Sequence, residues 1–459
     1  MSADTTRLFA GRRYAVVGLG RNGAAAADAL ARMGAEVVVW DDKETARAGA
    51  AHPLHDPAWG YAGFDALVLS PGIPHRLPSP HRAARAAQAA GIPILSDAEL
   101  LFQAVRMAGS HARFVGITGT NGKSTTTALL HHILQQAGVP AAAGGNLGTA
   151  ALALPLLGDD GVYVLEMSSY MLERLQVLVF DVAALLNLSV DHLDRHGDMD
   201  GYVAAKRRVF DRQDGGDTAV LGLDDAATQS VIGQRRGGRL VTVSGERRAD
   251  IWCENGMLRD CFGPVMPMVE APTLPGPHNA QNAAAALAMA RALGLADEQI
   301  VAGIVSYPGL PHRQQRVAVI DGVAWVNDSK ATNADAAAKA IACYDRIVWI
   351  AGGTAKEGGI EPLRSLLPRV AHALLIGRDA SVLAETLRDV GVPYTMCVTL
   401  DAAVEAARAL ARQLDSSVVL LSPACASWDQ FTGYDARGDR FRELVLTGPS
   451  DGDAMRRSA

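Results

Sequence analysis

Segment 116–127, GITGTNGKSTTT, brings a glycine-rich turn up to Lys123 and Ser124, the residue types that a nucleotide triphosphate requires. Backbone N–H groups of such a turn cradle phosphate oxygens, the lysine reaches the terminal phosphates, and the serine hydroxyl ligates Mg²⁺. The spacing is not the strict Walker pattern, because Ile117 stands where its first glycine belongs and the chain has Gly116 and Gly119 instead. A buried strand ending over 114–117 and a helix over 124–136 supply the flanks of a phosphate loop. Gly119, Thr120, Asn121, Gly122, Lys123, Ser124 and Thr125 therefore read as a nucleotide-triphosphate cradle.

Two clusters downstream suit Mg²⁺-assisted phosphoryl transfer. The apolar run 162–165 ends in Glu166, followed by Met167, Ser168 and Ser169, and a carboxylate at a strand's C-terminal end beside a phosphate loop can hold Mg²⁺. The run 182–186 ends in Asn187 and leads into Asp191, His192, Leu193, Asp194, Arg195 and His196. His192 and His196, at i and i+4, also have the spacing of a zinc pair, but no cysteine or third histidine follows at ligand distance. Taken alone, the cluster reads equally as an acid-capped helix start. Farther on, Pro277, His278, Asn279, Ala280, Gln281 and Asn282 open an alanine-rich helix.

Near the N-terminus a strand over 14–17 runs into Gly18, Leu19, Gly20, Arg21, Asn22 and Gly23, and a strand over 36–40 ends in Asp41 and Asp42. This is a G-x-G-x-x-G fingerprint with an acid about twenty positions on. A strand over 66–69 then enters Ser70, Pro71, Gly72, Ile73 and Pro74, a rigid loop at a strand's C-terminal end. Three readings fit: a dinucleotide site in a dehydrogenase, a tight turn with no ligand, or the pyrophosphate of another nucleotide at the same helix N-terminus. The second nucleotide loop favours the last, since one chain then binds a nucleotide-linked substrate and a triphosphate separately.

In the final third, His312 and Arg313 precede a strand over 317–320, and a strand over 323–327 enters Asp328, Ser329, Lys330, Ala331, Thr332 and Asn333. A strand over 347–351 ends in Gly352, Gly353, Thr354, Ala355 and Lys356, and one over 418–421 ends in the run from Ser422 through Cys425 and Ser427 to Asp429. Loops at strand ends gather on one edge of a parallel sheet. Arg313, Lys330 and Lys356 together there suit a substrate carrying carboxylates or phosphates.

Positioning these groups requires strand-like runs alternating with helical ones, and the chain supplies them almost throughout, which predicts α/β architecture with parallel sheets. At 459 residues the chain should form about three domains, with boundaries expected at 1–101, 102–309 and 310–459. Hydrophobic content of 49% with 20% charged residues is globular, and a net charge of −6 offers no basic field for nucleic acid or an anionic membrane. Cys253, Cys261, Cys343, Cys397 and Cys425 show no regular spacing, so neither a disulfide framework nor a zinc site is indicated. The apolar stretch 139–157 is too interrupted by glycines and Pro155 to span a membrane, and the start lacks a signal peptide's apolar region. A cytoplasmic monomer is expected, acting on small molecules.

The ordered set TGTNGKST, GGNLG, EMSS, DHLDRH, PHNAQN, LPHR, NDSKATN, GG-x-x-K and LSPACAS resembles the Mur ligase family of bacterial cell-wall synthesis over essentially the whole chain. NDSKATN with LSPACASWDQF most resembles the branch that adds D-glutamate. The resemblance implies three domains: a Rossmann-like N-terminal domain for UDP, a central P-loop ATPase with a parallel sheet, and a Rossmann-like C-terminal domain. The last would close over the site and position the amino acid. The implied reaction joins D-glutamate to UDP-N-acetylmuramoyl-L-alanine with ATP and Mg²⁺, through an acyl phosphate.

It further implies that Gly18, Gly20, Arg21, Asn22, Gly23, Asp41, Asp42, Ser70, Pro71, Gly72 and Ile73 bind the UDP substrate, with Asn146 and Ser168 on its side. ATP would meet Lys123, Ser124, Asn279, Asn282, Arg313 and Asp328, and the metal would meet Ser124, Glu166, His192 and Lys206. Lys206 matches a family lysine that becomes carbamylated, although from the residues alone it reads as a solvated helix lysine. Lys330, Thr332, Lys356, Ser427 and Tyr434 would face glutamate, and the catalytic set would be Lys123, His192, Lys206 and Lys356. Met171, Gln315 and the pair Thr354–Ala355 depart from the residues usual in the family. Competing readings are an L-glutamate-adding variant, a folate polyglutamate ligase, an NAD-dependent dehydrogenase, and a nucleotide sensor without turnover.

Overall fold

The strands that precede the polar clusters are short, rich in valine, alanine and leucine, and buried on both faces, as strands of a parallel sheet between helix layers must be. In the computed structural model, which describes residues 5–447 except 147, 236 and 357, the chain divides into two compact units that meet between Tyr307 and Pro308.

The first unit carries two sheets. One is four-stranded and parallel, with Arg13–Val17 between Glu36–Trp40 and Ala66–Leu69, and Ile94–Leu95 at the edge. Because the chain leaves the central strand in both directions, the turns after Val17 and Leu69 lie side by side, the position where open α/β sheets bind ligands. The other sheet has nine strands, with Arg113–Thr118 flanked by Val162–Glu166 and Val182–Leu185. Its parallel part runs from Ala141–Gly145 to Ile251–Glu254 and continues antiparallel through Met257–Asp260 and Gly263–Pro267. The hairpin between the last parallel strand and the next turns on Asn255 (φ 53°) and Gly256 (φ 74°), the Asn-Gly pair that a tight two-residue turn with positive φ favours.

Two helices form the layer above the phosphate loop. Lys123–Gln136 starts at the loop, and the alanine-rich Pro277–Ala292 is buried on nearly every face, its small side chains letting the two pack closely.

The second unit is a six-stranded sheet, parallel except for Gln315–Ile320, which pairs antiparallel with Val323–Asn327 at one edge. That antiparallel turn matters for the site. It brings the start of Gln315–Ile320, and so His312 and Arg313 just before it, to the edge where Val323–Asn327 ends (Gln315 opposite Asn327).

Candidate nucleotide and reaction sites

The two turns at the switch point of the first sheet enclose an open cleft of about 570 Å³ lined by Gly18, Gly20, Arg21, Asn22, Asp41, Asp42 and Ser70–Pro74. Gly18 (φ 94°) and Gly23 permit the approach: a Cβ on Gly23 would lie 1.8 Å from the Gly18 carbonyl oxygen. Ser70 closes the pair by donating from Oγ to Gly18 O (2.8 Å). Asp41 accepts from the N–H of Leu19 (2.7 Å) and Lys43 (2.9 Å), so its carboxylate shapes the glycine turn. Asp42 is paired with His81 (2.8 Å) and Arg82 (3.1 Å), and the His81 hydrogen bond holds its pKa below the ordinary carboxylate value. Lys43 and His81 also line the cleft; no motif announced them.

A smaller cavity of about 240 Å³ adjoins it, sharing Pro71 and Gly72 as its wall and lined by Lys123, Asn146, Ser168, Ser169, Tyr170, Asp191, His192, Tyr202 and Lys206. The phosphate loop borders it. Gly122, at φ 83°, caps Lys123–Gln136 without a side-chain bond, leaving that helix's first N–H groups open to an anion. Asn187, outside the expected set, clasps the loop: its Oδ1 accepts from Asn121 N (2.8 Å), its Nδ2 donates to Asn121 O (3.1 Å), and its carbonyl accepts from Thr120 N (2.8 Å).

Lys123 Nζ donates to the carbonyls of Gly119 (2.8 Å) and Thr120 (2.9 Å). Lys206 reaches the same Gly119 carbonyl (2.9 Å) and Thr118 Oγ1 (3.3 Å). The reading of Lys206 as a solvated helix lysine is thereby corrected: it is 2% exposed, because its helix, Met199–Arg207, lays this face against the loop. Burial, reinforced by the Lys123 charge, pushes its pKa well below the ordinary lysine value.

Glu166 is likewise 2% exposed; its Oε1 accepts from Asn146 Nδ2 (2.7 Å), while Oε2 is buried with no hydrogen-bond partner. A lone buried carboxylate oxygen is costly unless it meets a cation or a donor. A carboxylate oxygen is the donor type that suits Mg²⁺. Among the described residues no three of His, Cys, Asp and Glu group to hold a metal by themselves. The two histidines part company: His192 is exposed at φ 51°, whereas His196 is buried, bonded to Ser169 Oγ (2.9 Å) and stacked on Tyr170. Burial first, then the Lys206 charge, lower the His196 pKa to about 4.

Asn279 and Asn282, in the first turns of Pro277–Ala292, are engaged within the protein. Asn282 accepts from Thr126 Oγ1 (3.2 Å) and donates to Asn279 Oδ1 (3.1 Å), and Asn279 donates to Pro275 O (2.8 Å).

In the second unit, the strand-end loops meet at one edge of the sheet. Asp328 accepts from Ser422 Oγ (2.7 Å) and Gln314 N (3.1 Å), yet burial raises its pKa to about 7. Lys330 N donates to His312 O (2.9 Å) and its Nζ sits 5.5 Å from the Tyr434 ring centroid. Arg437, 1% exposed, donates to the carbonyls of Ser329 (2.9 Å) and Cys425 (3.1 Å), locking two of the loops together. Thr354 and Ala426 exchange backbone bonds (2.8 and 2.9 Å), which brings the loops carrying Lys356 and Ser427 together; Ser427 is buried, Thr332 half-buried and Lys356 exposed.

Residues 117–290 match the Mur ligase middle domain and residues 312–425 the Mur ligase glutamate ligase domain. The UDP-N-acetylmuramoylalanine–D-glutamate ligase of Paramagnetospirillum magneticum is 52% identical, over 95% of this chain and 97% of the relative. Its namesake from Rhodospirillum rubrum is 47% identical, over 95% of each. Among solved structures, UDP-N-acetylmuramate-alanine ligase from Thermotoga maritima superposes with a TM-score of 0.60 at 17% identity, covering 95% of this chain and all of that one, a likeness of fold.

Proposed function

The chain belongs to the Mur ligase family, and from that premise we propose that it is the ATP-dependent ligase that joins D-glutamate to UDP-N-acetylmuramoyl-L-alanine in peptidoglycan precursor synthesis. The observation that carries this reading is the small cavity. Two lysines converge there on the Gly119 carbonyl, and His192 and Asn146 line it, with Glu166, its second oxygen unpartnered, held by Asn146.

The UDP group is assigned to the cleft at Gly18–Gly23 and Ser70–Ile73, in an N-terminal domain formed by the first sheet. The substrate's alanyl end is assigned to the Asn146 and Ser168 side of the shared wall. In the first step a carboxylate oxygen of that alanine takes the γ-phosphoryl group of ATP, giving an acyl phosphate and ADP. Two anions must meet, so Lys123 neutralises the transferring phosphoryl group while the open backbone N–H groups at the start of Lys123–Gln136 orient it.

Ser124, Glu166, His192 and a carbamylated Lys206 would hold Mg²⁺, which when bound supplies further charge neutralisation. Burial prepares Lys206 for carbamylation, because only the neutral amine adds to CO₂, releasing one proton and leaving an anionic carbamate. The amine of D-glutamate then attacks the acyl carbonyl, and the tetrahedral adduct expels phosphate to leave the amide. Lys330, Thr332, Lys356, Ser427 and Tyr434 of the second unit are assigned to glutamate, the lysines to its carboxylates. Arg313 and Asp328 are assigned to ATP. A cytoplasmic, monomeric enzyme suits such soluble substrates.

The test is phosphate release with UDP-N-acetylmuramoyl-L-alanine and ATP, with D- or L-glutamate added in turn. Release dependent on D-glutamate, with a product heavier by one glutamyl residue, is expected. Incorporation of L-glutamate instead, or ATP turnover indifferent to the UDP substrate, would refute the reading.

A further inference from the structure

We infer that Arg174 is a positioning residue that fixes the 70–74 loop for the uridine nucleotide; this rests on the reading of the glycine-turn cleft as the UDP site. Arg174 follows the short helix Ser169–Leu172, on the same segment as Glu166, and is 3% exposed. Its guanidinium crosses from the nine-stranded sheet to the loop that leaves the four-stranded one. It donates to the carbonyls of Leu69, Ser70 (3.2 Å) and Ile73 (2.6 Å), and its Nε donates to His75 Nδ1 (3.4 Å). Arg195 adds bonds to Gly72 O (3.0 Å) and Ile73 O (3.4 Å).

An arginine serving only to glue two layers would be satisfied by any nearby carbonyls or by a carboxylate. Here every one of these bonds ends on a single short stretch, and that stretch lines both the cleft and the reaction cavity. The loop needs such a tether. Pro71 and Pro74 have no N–H to give; backbone bonds tie the loop's ends, Ser70 N to Val17 O (3.0 Å) and His81 N to Pro74 O (2.9 Å), and between them, among the described residues, only Ile73 N to Ser70 O (3.0 Å) holds the turn.

The charge consequence follows from the directions. Four carbonyl dipoles, those of Leu69, Ser70, Gly72 and Ile73, are turned onto two guanidinium groups, so their negative ends are occupied and fixed positive charge stands behind the wall that a diphosphate would face. Released, the same carbonyls could swing toward the ligand and repel it. Because Arg174 and Glu166 belong to one segment, the tether also fixes the nucleotide wall relative to the carboxylate of the reaction cavity.

Arg174→Lys in the full chain tests this, since lysine keeps the charge but cannot fork across three carbonyls. The probes are UDP alone by calorimetry, KM for each of the three substrates, and thermal melting. The expected result is a folded variant whose UDP Kd and KM for the UDP-linked substrate rise about tenfold or more, with KM for ATP and D-glutamate within about twofold of wild type. UDP affinity within about twofold of wild type in a folded variant would overturn the inference, as would an equal rise in all three KM values. If the lysine variant does not fold, Arg195→Ala decides: a rise in UDP Kd of about threefold or more supports the tether, and an unchanged Kd overturns it. Wild-type protein that fails to bind UDP removes the cleft reading together with the inference, whereas binding by wild type and Arg174→Lys alike removes the inference alone.

Discussion

Replacing Gly122 by alanine should uncouple ATP binding from the rest of the molecule. Gly122 sits at φ 83°, so an L-residue there costs about 1–2 kcal/mol in backbone strain. The added Cβ would also lie 2.3 Å from Asn282 Oδ1 and 3.2 Å from Leu186 Cδ1. Asn282 cannot retreat freely, being bonded to Thr126 (3.2 Å) and Asn279 (3.1 Å), and breaking one of these buried bonds costs about 1 kcal/mol or more. The sum, about 3 kcal/mol, falls on the conformation that cradles phosphate and corresponds to a loss of about 100-fold in ATP affinity. UDP affinity should not change. Gly109→Ala is the control: φ is 79°, but nothing lies within 4 Å of its Cβ, so only strain remains and ATP affinity holds. Calorimetric titration of both variants with ATP and with UDP reads the difference. ATP binding by Gly122→Ala within about threefold of wild type would refute the reasoning.

Three further expectations follow from the same geometry. Lys123→Ala should lower the ligation rate by about 10²–10³, the scale of removing one preorganised charge-stabilising group; a variant keeping more than about a third of the rate would contradict its place in the phosphate loop. Lys206→Ala should lose most activity while remaining folded, with partial recovery by short carboxylates that replace an anionic ligand, and mass spectrometry of wild type in bicarbonate should show the carbamate; full activity in the variant would remove Lys206 from the site. Burial, aided by Arg174, lowers His75 to a pKa of about 3. The unfolded chain therefore gains this proton first as pH falls below about 6.5, so the contribution is intact above that pH and is lost toward pH 3 at about 1.4 kcal/mol per pH unit. His75→Gln should flatten the acid limb of stability, followed by urea unfolding from pH 7 to 5, by that slope; an unchanged limb would contradict a neutral buried His75.

What could be read from the sequence was local. The phosphate loop, the glycine turn and the polar residues at strand ends announce themselves because a parallel sheet with short connections delivers every such loop to one edge. What could not be read depends on partners far along the chain. Lys206 reads as a solvated helix residue until its helix is laid against Gly119, 87 positions away. Arg174 belongs to no motif, and its partners lie 101 to 105 positions earlier. His312 and Arg313 precede their strand, and only its antiparallel pairing turns them toward the loops that follow the others. The Asn255–Gly256 hairpin did carry a local signal, in the dipeptide itself, between runs too short and polar to stand out as strands.

The central claim is that the alanyl carboxylate, rather than water, receives the γ-phosphoryl group. UDP-N-acetylmuramoyl-L-alanine labelled with ¹⁸O in both carboxylate oxygens, incubated with ATP and D-glutamate, tests it directly by mass analysis of the released phosphate. Transfer through an acyl phosphate leaves one labelled oxygen in each phosphate and one in the new amide. Unlabelled phosphate, with both labels retained in the UDP-linked compound, would contradict the account.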